Sequence, residues 1–243
     1  MNEKPFRVMI SGKLACFTRP DLKVERVSYD VPTPSALEGL LKAIYWKPAM
    51  RYVIDKIIVF NPIKFVNVQT NEVKEKPKLS NVRAQMRGRS KDICIYANEC
   101  RTQRSSMILK NVCYGVEFHI ERTGIRDERE KNRKNKHEEI FQKRMDHGEY
   151  FRHPFLGCRD FPVRSVRLVD RFDMSKIHPD IASRDDVDLG YMVYEMCYKD
   201  GGKPLHGKWE DGNFSDKAIP LFYRPHMKNG VIDVAAYKEG CTW

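Results

Sequence analysis

A chain of 243 residues with 44 Lys and Arg against 33 Asp and Glu, net +11, is long enough for one large domain or two small ones. That charge favours a polyanionic partner, nucleic acid or an anionic membrane surface. No run approaches the roughly 18 apolar residues that span a bilayer, and Met1-Asn-Glu-Lys-Pro5 lacks a signal-peptide apolar region, so a cytoplasmic protein with no membrane partner is expected. The seven cysteines form no Cys-x-x-Cys pair and the seven histidines are scattered, which excludes a disulfide framework and a dedicated metal site, so no cofactor is expected.

In chain order, Phe6 to Gly12 alternates Phe6, Val8 and Ile10 against Arg7, Met9 and Ser11, the pattern of a half-buried strand. A helix follows from about residue 34 to Trp46. Either Thr33 caps it with Pro34 at the first helical position, or Ser35 caps it with Glu38 three residues on. Leu37, Leu40, Leu41 and Ile44 give it one apolar face, and Pro48 stops it. Tyr45 and Trp46 then fall at its end, where a ring either packs on the next strand or leaves the core to meet a ligand. Tyr52 to Phe60 and Ile63 to Val68 read as strands separated by the Asn61-Pro62 turn. Strand, helix, strand, strand is the first half of a ferredoxin-like unit.

Between about residues 70 and 106 the composition turns polar and basic, with Lys74, Lys76, Lys78, Arg83, Arg87, Arg89, Lys91, Arg101 and Arg104. This insertion reads either as a solvated loop or as a cationic arm along a phosphate backbone, with Ile93 to Tyr96 as one strand of a protruding hairpin. Val112, Tyr114, Val116, Phe118 and Ile120 then alternate cleanly as a strand, leaving His119 on its polar face as an exposed residue.

Arg126 to Lys136 is a charge run of both signs. Asn135 and Glu138 have capping spacing, and Ile140, Phe141 and Arg144 continue at helical intervals to Gly148, so Lys136 and His137 occupy the first turn of a further helix. Free N–H groups there favour a phosphate, to which a Lys and a His add a fixed charge and a titratable proton. Phe155-Leu-Gly-Cys-Arg-Asp-Phe-Pro162 leads into an alternating strand from Val163 to Val169, the fourth of the sheet; Gly157 serves either a bend or the close approach of a ligand. Beyond an irregular stretch from Asp170 to Asp188, the segments at 190–198, 218–223 and 231–234 read as strands with turns at Asp200-Gly-Gly202 and Asn229-Gly230. The expected organisation is an α+β fold: a ferredoxin-like (RRM/RAMP) domain over 1–170 and a small antiparallel β domain over 171–243.

Two stretches, Ala15-Cys-Phe-Thr-Arg-Pro20 with Tyr29 to Pro48, and Phe155 to Pro162, closely resemble the CRISPR-associated Cas-five proteins of the Dvulg subtype (subtype I-C). The resemblance covers most of the first two-thirds of the chain. It implies a RAMP-type endoribonuclease that cuts CRISPR precursor transcripts in the repeat by 2′-OH attack, leaves a cyclic phosphate, and stays on the 5′ handle of the crRNA beside the backbone and large subunits of the interference complex. The family's catalytic Tyr lies in the Tyr-Trp-Lys-Pro motif, here Tyr45, and its Lys-His pair fits Lys136-His137 in type and order.

Metal-independent cleavage asks for a base near the 2′-OH, an acid at the leaving oxygen and positive charge on the phosphorane. His137 is expected to shuttle a proton, Lys136 to stabilise charge and Tyr45 to orient or deprotonate the 2′-OH. A tyrosine with an ordinary pKa near 10 serves as a base only where cations depress it. The expected RNA contacts are Trp46, Lys47, Arg19, Arg83, Arg87, Arg89, Arg104, Arg133, Lys134, Gly157 and Arg159. Two other readings stand beside this one: a non-catalytic scaffold for the 5′ handle, and a binder of duplex DNA, which the charge allows.

Overall fold

The computed structural model describes residues 5–22, 24–89, 93–123, 135–198 and 218–237. Its centre is an antiparallel sheet of β1 (Phe6–Ala15), β2 (Met50–Val59), β4 (Arg101–Arg122), β5 (Ser165–Leu168) and β10 (Val231–Asp233), in the order β10-β2-β4-β1-β5; β3 (Phe65–Val73) pairs with β4 off that path. The alternation of β4 sends Val116, Phe118 and Ile120 to one face, where they meet Val8 and Ile10 of β1 and Tyr52 of β2.

Helix α1 (Pro34–Ile44) connects β1 to β2, and α3 (Lys136–His147) connects β4 to β5. Thr33 caps α1 by accepting the Ala36 N–H at 3.2 Å, with Pro34 at its first position. Glu38 instead pairs with Lys42 one turn on, at 2.8 Å. The helix buries Leu37, Leu40, Leu41 and Ile44 and ends at Ile44, two residues before the expected Trp46. Helix α3 places Phe141, fully buried, edge-on to Phe6, Tyr52 and Phe118 with centroids 5.4 to 5.7 Å apart. Burying one such ring stabilises the fold by about 1.5–3 kcal/mol, so Phe141 fixes where α3 lies on the sheet. Gly148 ends α3 in the left-handed conformation, φ +67°.

Three expectations are corrected. Ile93 to Tyr96 is not a strand: the arm is β3 paired with residues 101–109 of β4, joined through α2 (Leu79–Met86), and the second strand went unread because β4 runs unbroken for 22 residues from arm into core. The Asn135 side chain makes no cap bond to α3. His119 is half-buried, with Nδ1 2.9 Å from Asp55 and Nε2 3.3 Å from Glu121. After residue 170 the chain forms α4 (Pro179–Ala182), a two-residue pairing of β6 (Val187–Asp188) with β9 (His226–Met227), and a hairpin of β7 (Met192–Tyr198) with β8 (Ala218–Tyr223). It then returns through β10 to the edge of β2 in the central sheet. Lys91, Arg133, Lys134, the charge run before Asn135 and the Asp200–Gly202 turn lie outside the described residues. Among the described residues no helix is long and apolar enough to cross a membrane.

Candidate active site

Tyr45 sits where α1 stops. Its N–H still bonds to Leu41 O at 3.2 Å, but its own backbone is extended, φ −151° and ψ 135°, so the side chain leaves the helical path. The Tyr52 hydroxyl donates to the Tyr45 carbonyl at 2.6 Å, anchoring that turn to β2. From α3, residues 137, 141 and 144 share one face at helical spacing, and Phe141 plugs that face into the core. His137 is therefore turned inward, 2% exposed, with Nδ1 3.0 Å from the Tyr45 hydroxyl. At the other end of this stripe, Arg144 donates to the Ile44 carbonyl at 2.7 Å, and its guanidinium lies 5.2 Å from the centre of the Tyr45 ring. The cation satisfies a carbonyl at the end of α1, where the helix dipole favours positive charge. Tyr45 is thus held at its hydroxyl by His137 and at its ring by Arg144.

In front of this pair opens a cleft of about 590 Å³ lined by Lys42, Tyr45, Trp46, Lys47, Arg144, Phe151 and Arg152. Four of these carry positive charge and none is acidic. Tyr45 lines the cleft while His137 stands behind it, so a ligand reaches the imidazole through the phenol. A phenol against an imidazole can pass a proton without either ring moving, and the cations favour an anion at its mouth.

Of the expected trio, Tyr45 and His137 are brought into contact, and Lys136 precedes His137 half-buried in the first turn of α3. Trp46 and Lys47 line the cleft, both exposed. The other expected RNA contacts lie elsewhere. Arg83, Arg87 and Arg89 are exposed on and after α2 in the arm, and Arg159 is exposed beyond Cys158. Arg104 pairs with Glu72 across the arm at 3.2 Å, and Arg19 lies 5.7 Å from the Tyr29 ring and pairs with Asp21. Gly157 has φ +82°, and a Cβ there would stand 2.0 Å from the Cys16 carbonyl oxygen. Its close approach is to this chain's own backbone.

That approach joins the two motifs on which the family resemblance rests. Cys16 N–H bonds to Leu156 O at 3.0 Å, and the Thr18 hydroxyl lies 3.5 Å from the Cys16 sulfur and 3.6 Å from that of Cys158. The Cys16 thiol bonded to it, the Thr18 hydroxyl and the Arg26 guanidinium hold the Cys158 thiol down to about 6 against burial; the same bond and burial push Cys16 up. At His119, burial disfavours the charged ring, but the carboxylates of Asp55 and Glu121 outweigh it and raise its pKa.

The sequence reading missed Lys42, Arg144, Phe151 and Arg152 as cleft residues. The signal for Arg144 was its seven-residue spacing from His137 on the Phe141 face. Phe151 and Arg152 had none, because only the fold carries residues 151 and 152 back to the end of α1, where both N–H groups bond to Ala43 O.

An α+β protein built on this mostly antiparallel sheet has its structural neighbours among CRISPR-associated proteins. The chain belongs to the Cas5d family, whose description is CRISPR-associated protein (Cas_Cas5) and which matches residues 7–235. It is 40% identical over 232 residues to the CRISPR pre-crRNA endoribonuclease Cas5d of Mannheimia succiniciproducens, covering 95% of each chain. It is 32% identical over 242 residues to the protein of that name from Thermus thermophilus, covering 96% of this chain and 92% of the other. A solved structure described as a CRISPR-associated protein superposes with a TM-score of 0.59 at 25% identity, covering 95% of this chain and 91% of that one.

Proposed function

We propose that this protein is an endoribonuclease that cuts CRISPR precursor transcripts within the repeat, in the cytoplasm, and stays on the 5′ handle as a subunit of the subtype I-C interference complex. The observation that carries the reading is the Tyr45–His137 contact at the wall of a cleft lined, among the described residues, by aromatic rings and cations and no acid. The names of the Mannheimia and Thermus relatives agree with it. The central strands run β5-β1-β4-β2, with α1 and α3 as the crossovers, an order that supports a ferredoxin-like core.

In the proposed reaction the RNA backbone enters the cleft with a ribose 2′-OH against Tyr45. The 2′-oxygen attacks the adjacent phosphorus and the bond to the 5′-oxygen breaks, giving a 2′,3′-cyclic phosphate and a 5′-hydroxyl. The 2′-OH proton passes to the phenolic oxygen as the tyrosine proton moves to His137 Nδ1, and the departing oxygen takes a proton from solvent. Arg144 and Lys136 supply positive charge to the phosphorane. Since side chains provide both proton transfer and charge, the step needs no metal. The β3–β4 arm, with its exposed arginines, is a second phosphate-binding surface and the place for duplex DNA.

Purified protein incubated in EDTA with a labelled repeat transcript is expected to give one discrete cut ending in a cyclic phosphate, and to leave unrelated RNA intact. Tight binding of the repeat without cleavage would move the protein to the scaffold reading.

A further inference from the structure

We infer that the cleft in front of Tyr45 is a stacking site for one unpaired nucleobase, with Phe151 and Trp46 as its platform and Arg152 and Lys47 on the flanking phosphates. The inference rests on the nucleolytic reading and adds a substrate requirement to it: RNA must reach Tyr45 single-stranded.

Phe151 is 85% exposed and Trp46 39%. One exposed ring is ordinary, but these two line the same cleft among cations, and apolar surface rimmed by polar groups in this way marks an interaction site. The backbone under Phe151 is fixed, since the N–H groups of Phe151 and Arg152 both bond to Ala43 O, at 3.0 and 3.1 Å. A carbonyl of the last turn of α1 thereby holds Phe151 beside the cleft that Tyr45 and Trp46 line. Ordering such a platform on binding costs little entropy, because its main chain is already in place.

The volume of the cleft lies in the small-molecule range, about 300–1,000 Å³. Its lining joins exposed aromatic rings to cations and, among the described residues, offers no carboxylate. A nucleobase with its phosphates matches both features, the π-face on the rings and the anions on Lys47, Arg144 and Arg152. A paired base has its faces covered by its neighbours in the stack, so only a splayed nucleotide can use the platform. A base seated there brings its own ribose and phosphate to Tyr45.

The test walks 2-aminopurine one position at a time along a repeat RNA that carries a 2′-deoxy substitution at the mapped cut, with the full chain as binder. Fluorescence is expected to be quenched at a position flanking the cut. Phe151→Ala and Trp46→Ala should each abolish the quench and weaken binding about tenfold, as loss of one base stack does, while Phe151→Tyr keeps both. No localised quench, or one indifferent to both alanine variants, overturns the inference. The two readings fail separately: protein that gives no cut to map overturns the nuclease reading on which the inference rests, whereas cleavage of unmodified RNA with no localised quench overturns the inference and leaves the nuclease reading standing.

Discussion

The Tyr45 hydroxyl and His137 Nδ1 lie 3.0 Å apart although 92 positions separate them in the chain. Their contact depends on the end of α1 and the start of α3 meeting on one face of the sheet. If the pair moves a proton as a unit, Tyr45→Phe and His137→Gln should each slow single-turnover cleavage by about 10²–10⁴-fold. The double variant should be no slower than the worse single variant, since members of one relay are not additive. Repeat RNA affinity, measured by gel shift, should hold in all three.

Arg144 lies over the Tyr45 ring and satisfies the Ile44 carbonyl. Arg144→Ala is expected to lower the rate constant at saturating RNA by about 10²-fold, the effect of removing one preorganised charge. Arg144→Lys should recover part of this, because a point charge is restored without the planar guanidinium. A loss in affinity alone would make Arg144 a binding residue.

Much of this arrangement was legible in the sequence. The stripe of Leu37, Leu40, Leu41 and Ile44, closed by Pro48, placed Tyr45 at a helix end, and the family motif around it named it. The alternation from Val112 to Ile120 gave the central strand. What failed had physical causes. The first half of β4 is half-wet and carries no alternation of hydrophobicity, so its pairing with β3 shows only in three dimensions. Asn135 has capping chemistry at the right spacing, yet its backbone, φ −121° and ψ 26°, is not the extended form that a capping side chain needs. Nothing in the sequence around Phe151 marks it, because only the fold sets its backbone against the end of α1.

Gly157, inside the second family motif, packs directly against the backbone of the first. A Cβ at this position meets the Cys16 carbonyl, and φ +82° disfavours any other residue. Gly157→Ala should lower stability by roughly 2–4 kcal/mol, left-handed strain added to overpacking. Urea unfolding checks this through the midpoint; an unchanged midpoint would contradict the close approach.

His119 makes stability depend on pH. Its folded pKa lies above the ordinary value near 6.5, with the two carboxylates outweighing burial. The stabilisation is therefore full below the unfolded value and is lost as pH rises through the folded one. The difference in urea midpoint between wild type and His119→Gln should be larger at pH 5.5 than at pH 8.5. A constant difference would assign His119 to packing alone.

The Cys158 thiol, held to about 6, should react with iodoacetamide along a curve inflecting near pH 6, while Cys113, pushed up by burial, lags behind. Peptide mass spectrometry after timed quenching reads both. An inflection near 9 at Cys158 would mean that Cys16, Thr18 and Arg26 do not act on it in solution.

The measurement that bears most directly on the account is single-turnover cleavage of a repeat RNA in EDTA, with the cut-site ribose either intact or 2′-deoxy, by wild type and by Tyr45→Phe. The account predicts one discrete cut by wild type, none with the 2′-deoxy ribose, and a rate reduced by at least about 10²-fold in Tyr45→Phe. Undiminished cleavage by Tyr45→Phe, or cleavage of the 2′-deoxy substrate, would contradict it.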